Sequence, residues 1–195
     1  MDTRHRLIRD ILDTELEMFL AVPTDQPASC QQDPERFRLM RGSQFAPWSD
    51  DTLESYLADL KAAVGRGRNL MQLKYARMDN LIPPLTESPL VDRIVGTQVR
   101  WQRELEARYP WFMRRGRPVE DDEAESLSTS FARYLRGELE TYSETTLERL
   151  HRDVERHLEN GENMAEAVYS AMVAALGYES LADAEAHAES MAKGK

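Results

Sequence analysis

Two stretches of this chain carry nearly the same pattern. Residues 45–78 (FAPWSDDTLESYLADLKAAVGRGRNLMQLKYARM) align without a gap with residues 139–172 (LETYSETTLERLHRDVERHLENGENMAEAVYSAM), at the offset of 94 that sets Ser49 on Ser143. Identities fall at Ser49/Ser143, Thr52/Thr146, Leu53/Leu147, Glu54/Glu148, Asp59/Asp153, Gly67/Gly161, Asn69/Asn163, Tyr75/Tyr169 and Met78/Met172. Residues shared by both copies report what the fold requires. Residues carried by one copy alone are where function is to be sought.

Every strong periodicity is helical. Leu7, Ile8, Ile11, Leu12, Met18, Phe19 and Val22 form one apolar stripe over 3–22. Pro23 and Pro27 stop that helix, and Pro34 fits the first turn of a short helix over 34–43. Ser49 with Asp50 and Asp51 behind it predicts a capped helix to about Val64, ended by Gly65 and Gly67. Asn69 opens the next helix, which stops before Ile82-Pro83-Pro84. The second half replays the order: helices over about 89–108 and 128–140, one capped by Ser143 and ended by Gly161, and one opened by Asn163 and ended by Gly177. A short alanine-rich helix over 180–192 closes the chain. A second correspondence sets Ile11, Thr14 and Leu16 on Ile94, Thr97 and Val99, with Glu15 opposite Gln98. The expected fold is all-α: one domain of two four-helix units, approximately 1–84 and 88–177, related by a pseudo-two-fold axis, plus the C-terminal helix. Two copies are too few for a solenoid, which needs about three or more repeats.

Composition narrows function mainly by exclusion. A formal net charge of -10 opposes general nucleic-acid or anionic-membrane binding, although RWQRELEARYPWFMRRGRP is a local arginine-rich stretch. That stretch and the acidic one after it (Glu120, Asp121, Asp122, Glu123, Glu125) read first as solvated loops and helix ends. No apolar run reaches the roughly 18 residues of a membrane span. The charged start MDTRHRLIRDIL does not read as a secretory signal. The single cysteine, Cys30, excludes an internal disulfide and suits a reducing cytoplasm.

The unmatched residues of the first half are Cys30, Gln31, Asp33, Arg41, Gln44, Trp48, Lys74 and Arg77. Lys74 aligns with Val168 and Arg77 with Ala171, so one copy is charged where the other is apolar. Three residues apart on a helix, Lys74 and Arg77 project to one side. With Arg41 they provide cations for a carboxylate or phosphate. Arg41-Gly42 nearly matches Arg136-Gly137, which also allows a structural role. Glu15 sits inside the apolar stripe and must be paired if buried; at a cleft it would serve as a general acid or base. Cys30 precedes a helix start, where a thiol is activated. Glu148-x-x-His151 matches half of a di-iron motif, but Glu54-x-x-Leu57 lacks the second half, and no metal site is expected. Glycine-rich phosphate loops, Gly-x-Ser-x-Gly and Cys-x-x-Cys are missing from the sequence.

Ser29-Cys30-Gln31, Met40-Arg41-x-Ser43-Gln44-Phe45, Gly67-Arg68-Asn69-Leu70, Lys74-Tyr75-Ala76-Arg77-Met78, Tyr134-Leu135-Arg136-Gly137-Glu138-Leu139 and Thr141-Tyr142-Ser143 together resemble an uncharacterised bacterial family catalogued as domain of unknown function 4125. The resemblance covers most of the chain. It implies a small cytoplasmic bacterial protein and brings no activity or catalytic residue with it.

Three readings follow. The first is a binding protein holding a small anionic metabolite or cofactor in a cleft lined by Arg41, Gln44, Trp48, Lys74 and Arg77. The second is an enzyme using Cys30 or Glu15 at the same cleft. The third is an interaction module or homodimer presenting aromatics such as Trp101 and Trp111.

Overall fold

The sequence places a hydrogen-bonding side chain at nearly every helix start. The computed structural model describes residues 3–23, 32–121 and 129–194, and the regular elements among them are all α-helices. They are α1 (Thr3–Leu20), α2 (Pro34–Gln44), α3 (Asp50–Gly65), α4 (Leu70–Met78), α5 (Pro89–Arg108), α6 (Pro110–Met113), α7 (Phe131–Leu139), α8 (Glu144–Glu159), α9 (Met164–Ala175) and α10 (Leu181–Lys193). Cys30, Gln31, Asp122, Glu123 and Glu125 lie outside the described residues. No described helix is long and apolar enough to cross a membrane.

The expected caps are formed. The Ser49 and Ser143 hydroxyls accept from the amides of Thr52 and Thr146, and the Asn69 and Asn163 side chains accept from those of Gln72 and Glu166. Each satisfies one of the amide donors that a helix start leaves open. The turns after α3 and α8 place Gly67 and Gly161 at φ 65° and 67°, a left-handed conformation that costs glycine nothing. One element is additional to the expected set. Pro110 stops α5 but also starts the four-residue α6, because a proline at the first helical position gives up no needed donor.

One apolar core runs from Ile11 on α1 to Ala165 on α9. Within it α1 packs on α2, α3 and α4, while α5 packs on α7, α8 and α9. The two sets interleave: α2 lies on α9, α4 on α7 and α3 on α8. Trp101 was expected on the surface, but it faces inward from α5 and is 4% exposed. Its neighbours Val99, Gln102 and Leu105 are buried beside it, so its indole extends the apolar stripe of that helix. Trp111 stays half-buried, with the Arg114 guanidinium 3.5 Å above its ring. A smaller cluster of Val173, Leu181 and Ala184, backed by Tyr109 and Phe112, docks α10 on α6 and α9. The Glu185 carboxylate on α10 accepts from the amides of Trp111 (2.9 Å) and Phe112 (2.6 Å), capping α6 across space.

Helices α3 and α8 cap each other. Asp153 on α8 accepts from the Ser49 amide (2.8 Å), the Ser49 hydroxyl (3.0 Å) and the Thr52 hydroxyl (2.7 Å). Asp59 on α3 accepts from the Ser143 amide (3.0 Å) and the Thr146 hydroxyl (2.6 Å). The Ser55 and Thr146 hydroxyls meet at 2.7 Å between the two helices. Each carboxylate thus lies at the positive end of the opposite helix, where it is favoured electrostatically as well as by its hydrogen bonds.

Candidate functional site

Four of the expected site residues, Glu15, Arg41, Gln44 and Lys74, meet in the core, in a closed ionic network. Glu15 on α1 is 0% exposed and accepts from Arg41 of α2 through Nε at 2.9 Å and through Nη2. The Tyr56 hydroxyl of α3 donates to the same carboxylate at 2.6 Å. Arg41 also reaches Glu138 of α7, with Nη1 3.1 Å from Oε2 and Nη2 3.0 Å from Oε1, and donates to the Gln44 side-chain oxygen. Lys74 of α4, 2% exposed, donates to Glu138 Oε2 at 2.5 Å, and the Tyr142 hydroxyl donates to Oε1 at 2.8 Å. The Lys74 ammonium lies 3.7 Å from the centre of the Tyr134 ring, a cation–π contact.

Two cations and two carboxylates balance, so the core buries no net charge here. Isolated charges would be costly to bury; paired and hydrogen-bonded, they persist. Burial works against the charge of Arg41, yet Glu138 and Glu15 outweigh it and hold the guanidinium well above its ordinary pKa. Burial likewise opposes the charge on Lys74, and Glu138 turns the balance upward. For Glu138, burial favours the neutral acid, but Arg41 and Lys74 keep the carboxyl well below the usual range. Burial raises the Tyr56 and Tyr142 phenols, and Glu15 and Glu138 respectively raise them further, so both stay protonated as donors.

The five residues expected to share a cleft therefore separate. Arg41, Gln44 and Lys74 belong to this network. Trp48 packs edge-on against Phe45, Tyr56 and Tyr142, at centroid distances of 5.2, 5.8 and 6.2 Å, as part of an aromatic cluster beside the network. Arg77 points elsewhere. Its Nε and Nη2 donate to Glu140 at 2.5 and 3.1 Å, and Nη1 donates to the Ile82 carbonyl at 3.1 Å. Gln98, aligned with Glu15 in the second half, contacts the Met164 sulfur through its amide at 3.5 Å. Tyr56 was not singled out in the sequence, and Glu138, Tyr142 and Tyr134 stood only within the motifs of the family resemblance, not as site residues. A signal for Glu138 did exist: the register that sets Trp48 on Tyr142 also sets Gln44 on Glu138.

Arg77 lines an open cleft of about 440 Å³ between α4, α5 and α7. Arg133 and Arg136 of α7, Asp92 and Gly96 of α5, and Asn80 just after α4 are also in its wall. A second hollow of about 300 Å³ continues past Arg77, Asp92 and Arg136 toward Pro84 and Ser88. Arg136 Nη2 donates to Asp92 at 2.6 Å, and Arg133 Nε donates to Asp121 at 3.0 Å. Desolvation pushes the Asp121 carboxyl up, but hydrogen bonds from Ser130 and Arg133 and the Arg133 charge bring it below its ordinary value. The network stands directly behind this wall. Gly137, between Arg136 and Glu138, passes so close to α4 that an added Cβ would lie 3.0 Å from the Lys74 carbonyl.

Among the described residues, helices around a charge-neutral ionic core and an arginine-bearing cleft define the molecule structurally. The chain belongs to the family described as "Protein of unknown function (DUF4125)", which it matches over residues 5–186. No curated protein and no solved structure matches it significantly.

Proposed function

We propose that this protein binds a small anionic metabolite or cofactor in the cleft between α4, α5 and α7, with Arg77, Arg133 and Arg136 supplying the guanidinium donors. The observation carrying this reading is the convergence of three arginines from two helices on one hollow of ligand size. Among the described residues Arg136 uses only Nη2, so its Nε and Nη1 remain for a carboxylate or phosphate. Arg77 is tied to Glu140 and gives a fixed positive wall. Arg41, Gln44, Lys74 and Trp48 act behind the cleft, holding α7 against α4. The test is calorimetric titration of the Arg133→Ala/Arg136→Ala variant with whatever ligand the wild-type protein retains on gentle purification. Binding unchanged by the double substitution would place the ligand elsewhere.

We further infer that the chain is an internal duplication, with units approximately 1–84 and 88–177 about a pseudo-two-fold axis. The reciprocal caps by Asp59 and Asp153 support this, because each carboxylate occupies the other's position with the roles of α3 and α8 exchanged. An enzyme reading through Glu15 has less support: both its oxygens are occupied and the side chain is fully buried.

A further inference from the structure

Charges of both signs line the cleft in equal number: Arg77, Arg133 and Arg136 against Asp92, Glu120 and Asp121. Beyond the one anionic group that the arginines hold, a site for further negative charge would carry a positive surplus. Here the exposed carboxylates of Asp92 and Asp121 would oppose a second negative charge, and each lies within ion-pair distance of the arginine that a ligand would use, 2.6 Å for Arg136–Asp92 and 2.7 Å for Arg133–Asp121. Both pairs are exposed and so hold together weakly in the free protein. A ligand presenting one positive and one negative group can replace both halves of such a pair at once.

Gly96 is a second, independent observation. It stands inside α5, where glycine weakens a helix relative to alanine. Packing does not require it, since a Cβ there would meet nothing within 4 Å, and its backbone does not adopt the left-handed conformation. It lies one turn beyond Asp92 and forms part of the cleft wall. The missing side chain leaves room beside the Asp92 carboxylate. Asn80 contributes a third feature on the α4 side. It holds a left-handed backbone at φ 54°, and its side-chain amide has no hydrogen-bond partner among the described residues, leaving a donor and an acceptor at the rim.

We propose that the ligand of this cleft is a small zwitterion, an α-amino acid or a dipeptide. Its carboxylate takes the Arg136 guanidinium, and its ammonium takes the Asp92 carboxylate. The inference rests on reading the cleft as a ligand site and specifies what that site accepts.

The experiment is an amide NMR titration of the full chain with three sets of probes: the common amino acids with glycylglycine and glycylglutamate, the plain anions succinate and phosphate, and the plain diamine putrescine. The expected result is saturable shifts at Asn80, Gly96 and Gly137 with at least one zwitterion and much weaker effects from the other two sets. Asp92→Asn should weaken that zwitterion by about tenfold or more, as removal of a charge-assisted contact does, without weakening succinate. Gly96→Leu should weaken it by occlusion while leaving the spectrum of the core unchanged. Succinate or phosphate binding as tightly as the best zwitterion would overturn the ligand class and leave the anion cleft standing. Putrescine binding alone, or no shift at these amides from any probe, would overturn the cleft reading together with the inference.

Discussion

Glu138 holds two cations and a phenol on a single carboxylate; Lys74 pairs with it alone, while Arg41 also pairs with Glu15. Removing it leaves the buried Lys74 without a counter-charge and Arg41 with Glu15 alone. Glu138→Ala is expected to cost on the order of 3–5 kcal/mol in denaturant unfolding, the range for breaking a buried ion pair from one side. Its pH signature has a defined sign. The folded-state pKa of Glu138 is depressed, so the stability it contributes is complete above the unfolded value of about 4.3 and is lost as pH falls below it. Lys74 is raised in the folded state, so its contribution is complete below about 10.4 and is lost as pH rises through the folded value. Glu138→Gln should flatten the acid limb of a stability–pH profile; an unchanged limb would show that other carboxylates set it. Two glycines give a further contrast at this scale. Gly96→Ala should stabilise the fold by about 0.5–1 kcal/mol, because it removes backbone freedom and touches nothing. Gly137→Ala should destabilise it, because the new methyl would lie 3.0 Å from both the Lys74 carbonyl and Met78 Cγ. Thermal melts of the pair check both signs.

At the scale of elements, the caps that start helices and the contacts that dock them are often the same atoms. Ser49 and Ser143 were legible as N-caps because a hydroxyl followed by acidic residues before an apolar run has only one local use. The second use, presenting amide and hydroxyl to Asp153 and Asp59, was not legible. The two aspartates showed only as repeat identities. Asp153→Asn is expected to cost about 1–2 kcal/mol and Asp59→Asn somewhat less, since Asp153 serves three donors from the Ser49 segment and Asp59 two from the Ser143 segment. Denaturant titration of both variants would test the order. The helix α6 was missed for a similar reason: Tyr109-Pro110 reads as a stop, and the carboxylate that makes it a start comes from Glu185 on α10.

At the scale of the whole molecule, α10 is an addition to the interleaved arrangement. It covers the small cluster around Val173 and caps α6, while the main core runs without it. Truncation before Leu181 should therefore lower the melting temperature and expose Tyr109, Phe112 and Val173, yet keep a cooperative transition. A broad, non-cooperative melt would show that α10 belongs to the core.

The sequence by itself determined the all-helical class, the order of the main helices and nearly all their boundaries, because caps, glycine turns and apolar stripes act over a few residues. It also pointed to Glu15, Arg41, Lys74 and Arg77 as charges that a fold must account for. Only the tertiary structure decided their partners. Glu138 lies 97 residues from Arg41 and 64 from Lys74 in the chain. Whether an arginine on a helix faces a buried carboxylate or an open cleft depends on how α4 and α7 are brought together, and that is set by packing between segments far apart in the sequence.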